Sequence, residues 1–306
     1  MRIFKNRGDI FFSKTNREKS AEQKLLLFAL VFIVAFTVVF VMFTAVKNDF
    51  SAKTFFKPDN IQTTAEQGVE NELILPQVSG KSNYVIMVSE EKNLLFAYLL
   101  QVDMDSVSYK ITALSPNTKS NGKSLAEIFK YDGAENTKIA VEELIGTDFD
   151  YYISFERDKF IELFNDFGDV KYPIIDAVKY KDNQSAVAYS VRIKEGEQSI
   201  KGSDAVNLVR YYVDNSKHAQ ANDLLLTCLA NQVNQQSYNN REVLFGKFIK
   251  SAQTNITVKD FTNATDSLLV LSYNRTGVSI YNAPVKYENN KISKDSLNEI
   301  KGYYSK

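Results

Sequence analysis

From Leu25 to Val46 the chain reads LLLFALVFIVAFTVVFVMFTAV, twenty-two residues without a charge. Wound as a helix at about 1.5 Å per residue, such a run covers ~33 Å, enough to cross a hydrocarbon core of ~30 Å. Lipid offers the backbone no hydrogen-bond partners, so the segment must satisfy its own and is expected to be helical despite its many Val and Phe residues. Residues 1–24 carry seven Lys/Arg against three Asp/Glu, whereas the chain beyond Val46 is net acidic. A basic flank stays on the cytoplasmic side, which sends the rest of the chain outside. The run exceeds the ~7–15 apolar residues of a secretory signal, and no small-x-small cleavage site follows it. The expected organisation is a basic cytoplasmic tail at 1–24, a single transmembrane helix at 25–46, an extracytoplasmic linker at 47–80 and a folded domain at 81–306. The part of that domain from about residue 266 reads as a C-terminal extension. The implied location is the cell membrane, single-pass, with the domain extracellular.

Composition removes several function classes. Thirty-seven basic and thirty-seven acidic residues cancel, so a basic nucleic-acid face is not expected. One Cys and one His exclude an internal disulfide framework, a cysteine zinc site and a multi-histidine metal centre. The sequence has no GxSxG elbow, no GxxxxGK[ST] loop and no GxGxxG after a strand.

The pattern beyond the linker alternates short strands with helices, which indicates an α/β or α+β domain. Tyr84–Ser89, Leu94–Val102 and Val107–Leu114 read as strands, the last two joined by the turn Asp103–Ser106. Asp132-Gly-Ala-Glu135 has the form of a capping box opening a helix that Gly146 ends. Tyr151–Phe155 reads as a buried strand, followed by a helix through Phe160–Phe167. Further strands are expected at Val170–Ile175 and Val187–Ile193. A helix capped by Ser203 and an apolar helix over Leu224–Val233 follow.

Few residues offer chemistry outright. His218 sits in Asn215–Gln220, an exposed loop or helix start, and reads as a surface histidine. Cys228, on an apolar helix, reads as a packed core thiol. Glu90-Glu91 and Glu142-Glu143 are sequence neighbours that do not face one another and read as solvated faces. Asp103, Asp105 and Asp132 fit turn chemistry as well as a metal.

Three stretches carry a resemblance to the LytR-CpsA-Psr family. Asn136–Val170, NTKIAVEELIGTDFDYYISFERDKFIELFNDFGDV, resembles its helix–strand–helix unit, with "VEELLG", "IDYYV" and "GGV" words. Ile200–Tyr212, IKGSDAVNLVRYY, resembles its "LDGEQALAYVRYR" helix. Ser106–Ser115, SVSYKITALS, resembles the strand entering its catalytic loop. The resemblance runs with interruptions over about residues 81–265. It implies an α–β–α domain enclosing an apolar channel for a polyprenyl chain. The implied activity is a phosphotransferase that moves a glycopolymer from polyprenyl diphosphate to peptidoglycan, with arginines and magnesium-bound carboxylates holding the diphosphate.

Against that family pattern the chain is depleted. Ala97 and Tyr98 stand where the family has an Asp-Thr pair, so the metal carboxylate is not matched and no metal or cofactor residue is assigned. Ser115–Ser120 replaces the Ile-Pro-Arg-Asp loop. His218 and Ala221 replace two later arginines, and Tyr212 replaces the second arginine of the helix motif. Arg210 alone matches a family arginine and is the one candidate catalytic residue, gripping phosphate at the pocket mouth; the competing reading is a helix-surface Arg that packs its stem and pairs with a carboxylate. Lys119, Lys217 and His218 lie on the loops of the lost arginines. The leading expectation is an envelope protein with a degenerate site that binds polyprenyl-linked or cell-wall glycans or regulates polymer attachment. The alternatives are a divergent active phosphotransferase and a non-catalytic scaffold.

Overall fold

A computed structural model describes residues 74–274 and 277–305. The expected membrane helix and cytoplasmic tail lie outside the described residues, and no helix among those described is long and apolar enough to cross a membrane.

The domain opens with β1 (Lys81–Glu90), β2 (Asn93–Asp103) and β3 (Ser108–Leu114), an antiparallel meander. A short ribbon, β4 (Lys119–Ser120) and β5 (Lys123–Ser124), leads into α1 (Leu125–Ile145). This helix crosses over to β6 (Tyr151–Glu156), which returns parallel to β1. Next come α2 (Arg157–Phe167), β7 (Val170–Ile174), the β8 (Val178–Asp182) and β9 (Tyr189–Ile193) pair, β10 (Gly196–Ile200), α3 (Gly202–Asp214) and α4 (His218–Gln232). Helices α5 (Gln235–Asn239) and α6 (Arg241–Ser251) lead to β11 (Ala252–Thr254). Then follow α7 (Val258–Asn263), α8 (Thr265–Tyr273), β12 (Ser279–Asn282), β13 (Tyr287–Glu288), β14 (Lys291–Ile292) and α9 (Lys294–Tyr304). Among the described residues the main sheet has six strands in the order β11-β6-β1-β2-β3-β12.

Strand alternation divides the core. Ile86 and Val88 of β1 point to one face, where Leu163 of α2, Val206 of α3 and Leu224 of α4 pack. Val85 and Met87 point to the other, against Val141 of α1 and Ile300 of α9. A strand covered on both sides reads as a continuous apolar run rather than an alternating one, as β1 and β2 do. The result is the three-layer helix–sheet–helix arrangement expected for an α/β chain.

Two helix starts differ from the sequence expectation. Helix α1 begins at Leu125, where Ser124 and Glu127 form the reciprocal capping box. Asp132–Glu135 marks a break instead, with Gly133 at φ 84° and ψ −177°, a conformation that favours glycine. Helix α3 begins at Gly202 with Lys201 as its cap, and Ser203 caps nothing. A tertiary partner does that work: Asn165 Oδ1 accepts from the Gly202 N–H at 2.9 Å. A side chain at position 202 would place its Cβ 2.8 Å from the Ile161 carbonyl, so glycine lets α2 and α3 approach.

The stretch from residue 266 is built into the fold rather than appended. Strand β12 pairs in parallel with β3 at the sheet edge. Tyr304 is fully buried, with its hydroxyl bonded to the Leu99 carbonyl at 3.1 Å and to Thr112 at 3.0 Å.

Candidate functional site

Strand β2 runs past two hollows. Near its start Asn93, Leu94 and Leu95 line a polar pocket of about 380 Å³, which also takes Arg210, Asp214, Lys130 and the Pro116–Asn117 loop. Further along, Phe96, Tyr98 and Leu100 line an apolar cavity of about 180 Å³ beneath α2, α3 and α4. The period-two alternation of a strand puts those three side chains on one face.

Arg210 lines the polar pocket. Its residue is only 4% exposed, which removes the helix-surface reading. Its Nη2 donates to the Val187 carbonyl at 2.7 Å, and its guanidinium carbon lies 3.9 Å from the centre of the Tyr189 ring. The Tyr189 hydroxyl in turn donates to Asp214 Oδ2 at 2.7 Å. Burial depresses the Arg210 pKa, opposed by Tyr189, Asp214 and Asp182, while burial raises that of Asp214. Among the described residues Nη1 of Arg210 is buried without a hydrogen-bond partner. A stacked, buried guanidinium with one fork nitrogen unsatisfied is poised to take an anionic oxygen.

The other sequence candidates are dispersed. Lys119, Lys217 and His218 do not line this pocket; the Lys217 ammonium instead sits 5.1 Å from the Tyr211 ring. His218 is not a surface residue. It opens α4, is 4% exposed and lies against Tyr287 with ring centres 4.8 Å apart. Desolvation lowers its pKa to about 4, partly offset by a hydrogen bond to the Ala113 backbone. The helix start that sequence placed in solvent is covered because Tyr287, from the far end of the chain, closes over it. Cys228 is a buried thiol lining the apolar cavity, with its pKa pushed up to about 12 by burial. Glu142 accepts from the Phe149 N–H and from Lys138, so it is partly structural rather than merely solvated.

The acidic candidates do not assemble into a cation site. Asp103 accepts from the backbone N–H groups of Asp105 and Ser106 and pairs with Lys110 and Lys81. Despite burial, hydrogen bonds from Ser106 and the Lys110 ammonium hold its carboxyl below the usual range. Asp105 accepts from the Gly80 N–H, and Asp132 faces Lys123. Among the described residues no group of three His, Cys, Asp or Glu side chains converges. Ala97 is buried on the opposite face of the sheet from the cavity. The pocket's own carboxylates are engaged, Glu127 in the α1 cap and Asp214 by Tyr189. This donor set does not fit the magnesium that the family pattern implies, and no step below uses a metal.

Sequence reasoning pointed to Arg210 and to the Ser115–Ser120 loop, of which Pro116 and Asn117 line this pocket, but not to Tyr189, Lys130 or Asn93. One available signal was the Arg210–Asp214 spacing, which puts both on one helix face. The packing of Tyr189 has no local signature.

A family model described as LytR_cpsA_psr matches residues 71–303. Among solved structures, a candidate transcription regulator from Eubacterium siraeum DSM 15702 is similar with a TM-score of 0.63 at 16% identity, over 78% of this chain and 97% of that one. TagV from B. subtilis is similar with a TM-score of 0.56 at 13% identity, over 74% and 96%. TagT bound to LI-WTA is similar with a TM-score of 0.54 at 14% identity, over 73% and 89%. These likenesses are of fold. No curated protein matches the sequence.

Proposed function

The chain belongs to the LytR-CpsA-Psr family, and from that premise we propose that it attaches glycopolymer in the cell envelope as a divergent phosphotransferase whose donor is held by Arg210. The single observation that supports this reading is the buried guanidinium, stacked on Tyr189 with Nη1 unsatisfied, in a pocket that neighbours an apolar cavity along the same strand. The diphosphate of a polyprenyl-linked glycan would take Nη1, and its prenyl chain would take the apolar cavity. An acceptor hydroxyl attacks the sugar-proximal phosphorus. The new P–O bond forms as the bridging P–O–P bond breaks, polyprenyl phosphate leaves, and the hydroxyl proton passes to solvent. Arg210 offsets charge growing on the phosphate oxygens, a role worth about 10²–10³ in rate where a preorganised donor is removed. In this reading residues 1–24 are cytoplasmic, 25–46 span the membrane, 47–80 tether, and the domain works outside on a lipid-linked substrate. That TagT has been solved with LI-WTA bound suggests a wall glycopolymer as the transferred group.

The test is turnover by the full chain in lipid nanodiscs, with a polyprenyl-diphosphate glycan as donor and peptidoglycan as acceptor. Release of polyprenyl phosphate is expected, falling at least a hundredfold in Arg210→Ala; turnover indifferent to that change would refute the role. A second reading, retention of the lipid-linked glycan without transfer, is favoured by Ala97, which leaves the family's carboxylate unmatched. It predicts donor binding with no release.

A further inference from the structure

Beside the Arg210 pocket lies a second hollow of about 500 Å³ that nothing above employs. The two share Lys130 and Tyr131 in their walls. We propose that this second hollow is a binding groove for a neutral glycan, the acceptor in the transfer reading on which the assignment of that role rests.

The groove exists because α1 breaks. On the face that α1 covers, the sheet is apolar at Val85 and Met87. Two residues farther along β1 the same face carries Ser89. Its β6 neighbours on that face are Ser154, the register partner of Met87, and Glu156, the partner of Ser89. Gln253 of β11 lies directly across from Ser154. Cross-strand partners share a face, so Ser89, Ser154, Glu156 and Gln253 form one polar patch on a sheet face that is otherwise core. The interruption at Gly133 brings Gly133 and Ala134 into the groove wall, and no Cβ neighbour would lie within 4 Å of position 133. Glu156 and Gln253 are thus exposed at the groove, with Ser89 and Ser154 buried at its floor.

The chemistry of the walls selects the ligand class. Tyr131 stands at the rim 77% exposed, a large aromatic surface left in water. The side chains of Ser154, Ser251 and Gln253 make no hydrogen bond among the described residues. Hydroxyl and amide groups that both donate and accept, beside an exposed aromatic ring that the Lys130 ammonium approaches to 5.9 Å, suit the hydroxyls and the C–H face of a pyranose ring. Lys92, Lys130 and Lys159 stand against Asp132 and Glu156 in the walls, and Lys159 is already paired with Glu162 at 2.7 Å, so the lysines form no unopposed cluster that calls for an anion. Tyr131, common to both hollows, would set the glycan's end beside the phosphate site.

The experiment titrates the full chain in nanodiscs with two probes: the tetrasaccharide of N-acetylglucosamine for the groove and farnesyl diphosphate for the Arg210 pocket. The tetrasaccharide is expected to bind, and both Tyr131→Ala and Gln253→Ala should weaken it, the former roughly tenfold. Gln253→Ala should leave farnesyl diphosphate binding unchanged. Both residues are exposed, so neither change threatens folding. Equal tetrasaccharide binding in wild type and Tyr131→Ala overturns the groove. So does binding of farnesyl diphosphate without the tetrasaccharide, an outcome that leaves the transfer reading intact. Tyr131-dependent glycan binding without diphosphate binding supports the groove and defeats the transfer reading, and loss of both defeats both.

Discussion

His218 is the only histidine in the chain, which makes its burial measurable as a single titration. In the folded domain desolvation lowers its pKa to about 4, whereas an unfolded histidine titrates near ~6.5. Between those values the unfolded chain binds a proton that the folded chain refuses, so stability falls as pH drops through that window. At about 1.4 kcal/mol per pKa unit, the shift corresponds to roughly 3 kcal/mol lost between pH ~7 and pH ~4. Above pH ~7 the ring is neutral in both states and contributes no slope. Carboxylates titrate in part of the same range, so the comparison must be differential. His218→Phe keeps a ring against Tyr287 and removes the titration, and its stability should decline less steeply below pH 6.5 than that of the wild type. Denaturant melts of both proteins at half-unit pH steps give the difference directly. The Cε1 proton resonance of His218 should stay unshifted down to about pH 5. A resonance titrating near 6.5, or parallel pH profiles for the two proteins, would refute the claim that the ring is buried neutral.

Tyr304→Ala removes a fully buried ring tilted against Phe149, with ring centres 5.6 Å apart, together with its bonds to Leu99 and Thr112. A loss of about 3–5 kcal/mol is expected in denaturant melts, and an unchanged midpoint would show the last helix to be dispensable. Ser124→Ala breaks the capping box of α1 and should cost about 1 kcal/mol by the same assay; an equal loss on changing Asp132 instead would return the helix start to the sequence expectation.

Much of the fold was legible because it rests on local or repeating signals. The strands at 84–89, 94–102 and 151–155 announce themselves as apolar runs, and runs of that length covered on both faces need no tertiary information to be found. The family words in 136–170 and 200–212 fixed the order of helix and strand, and they singled out Arg210. Helix starts were less legible where more than one residue could cap. Ser124 with Glu127 and Asp132 with Glu135 have the same form, and the choice fell to Gly133, whose backbone no helix accommodates.

The sequence alone determined the α/β class and the family, and its family words pointed to Arg210, because periodicity and motif spacing are properties of neighbours along the chain. Tertiary structure decided the state of the groups that carry chemistry. Tyr189 reaches Arg210 from a separate hairpin, Tyr287 buries His218 from seventy residues away, and Gln253 meets Ser154 across strands about a hundred residues apart. Burial and protonation depend on which distant segment covers a side chain, and one-dimensional patterning holds no record of that.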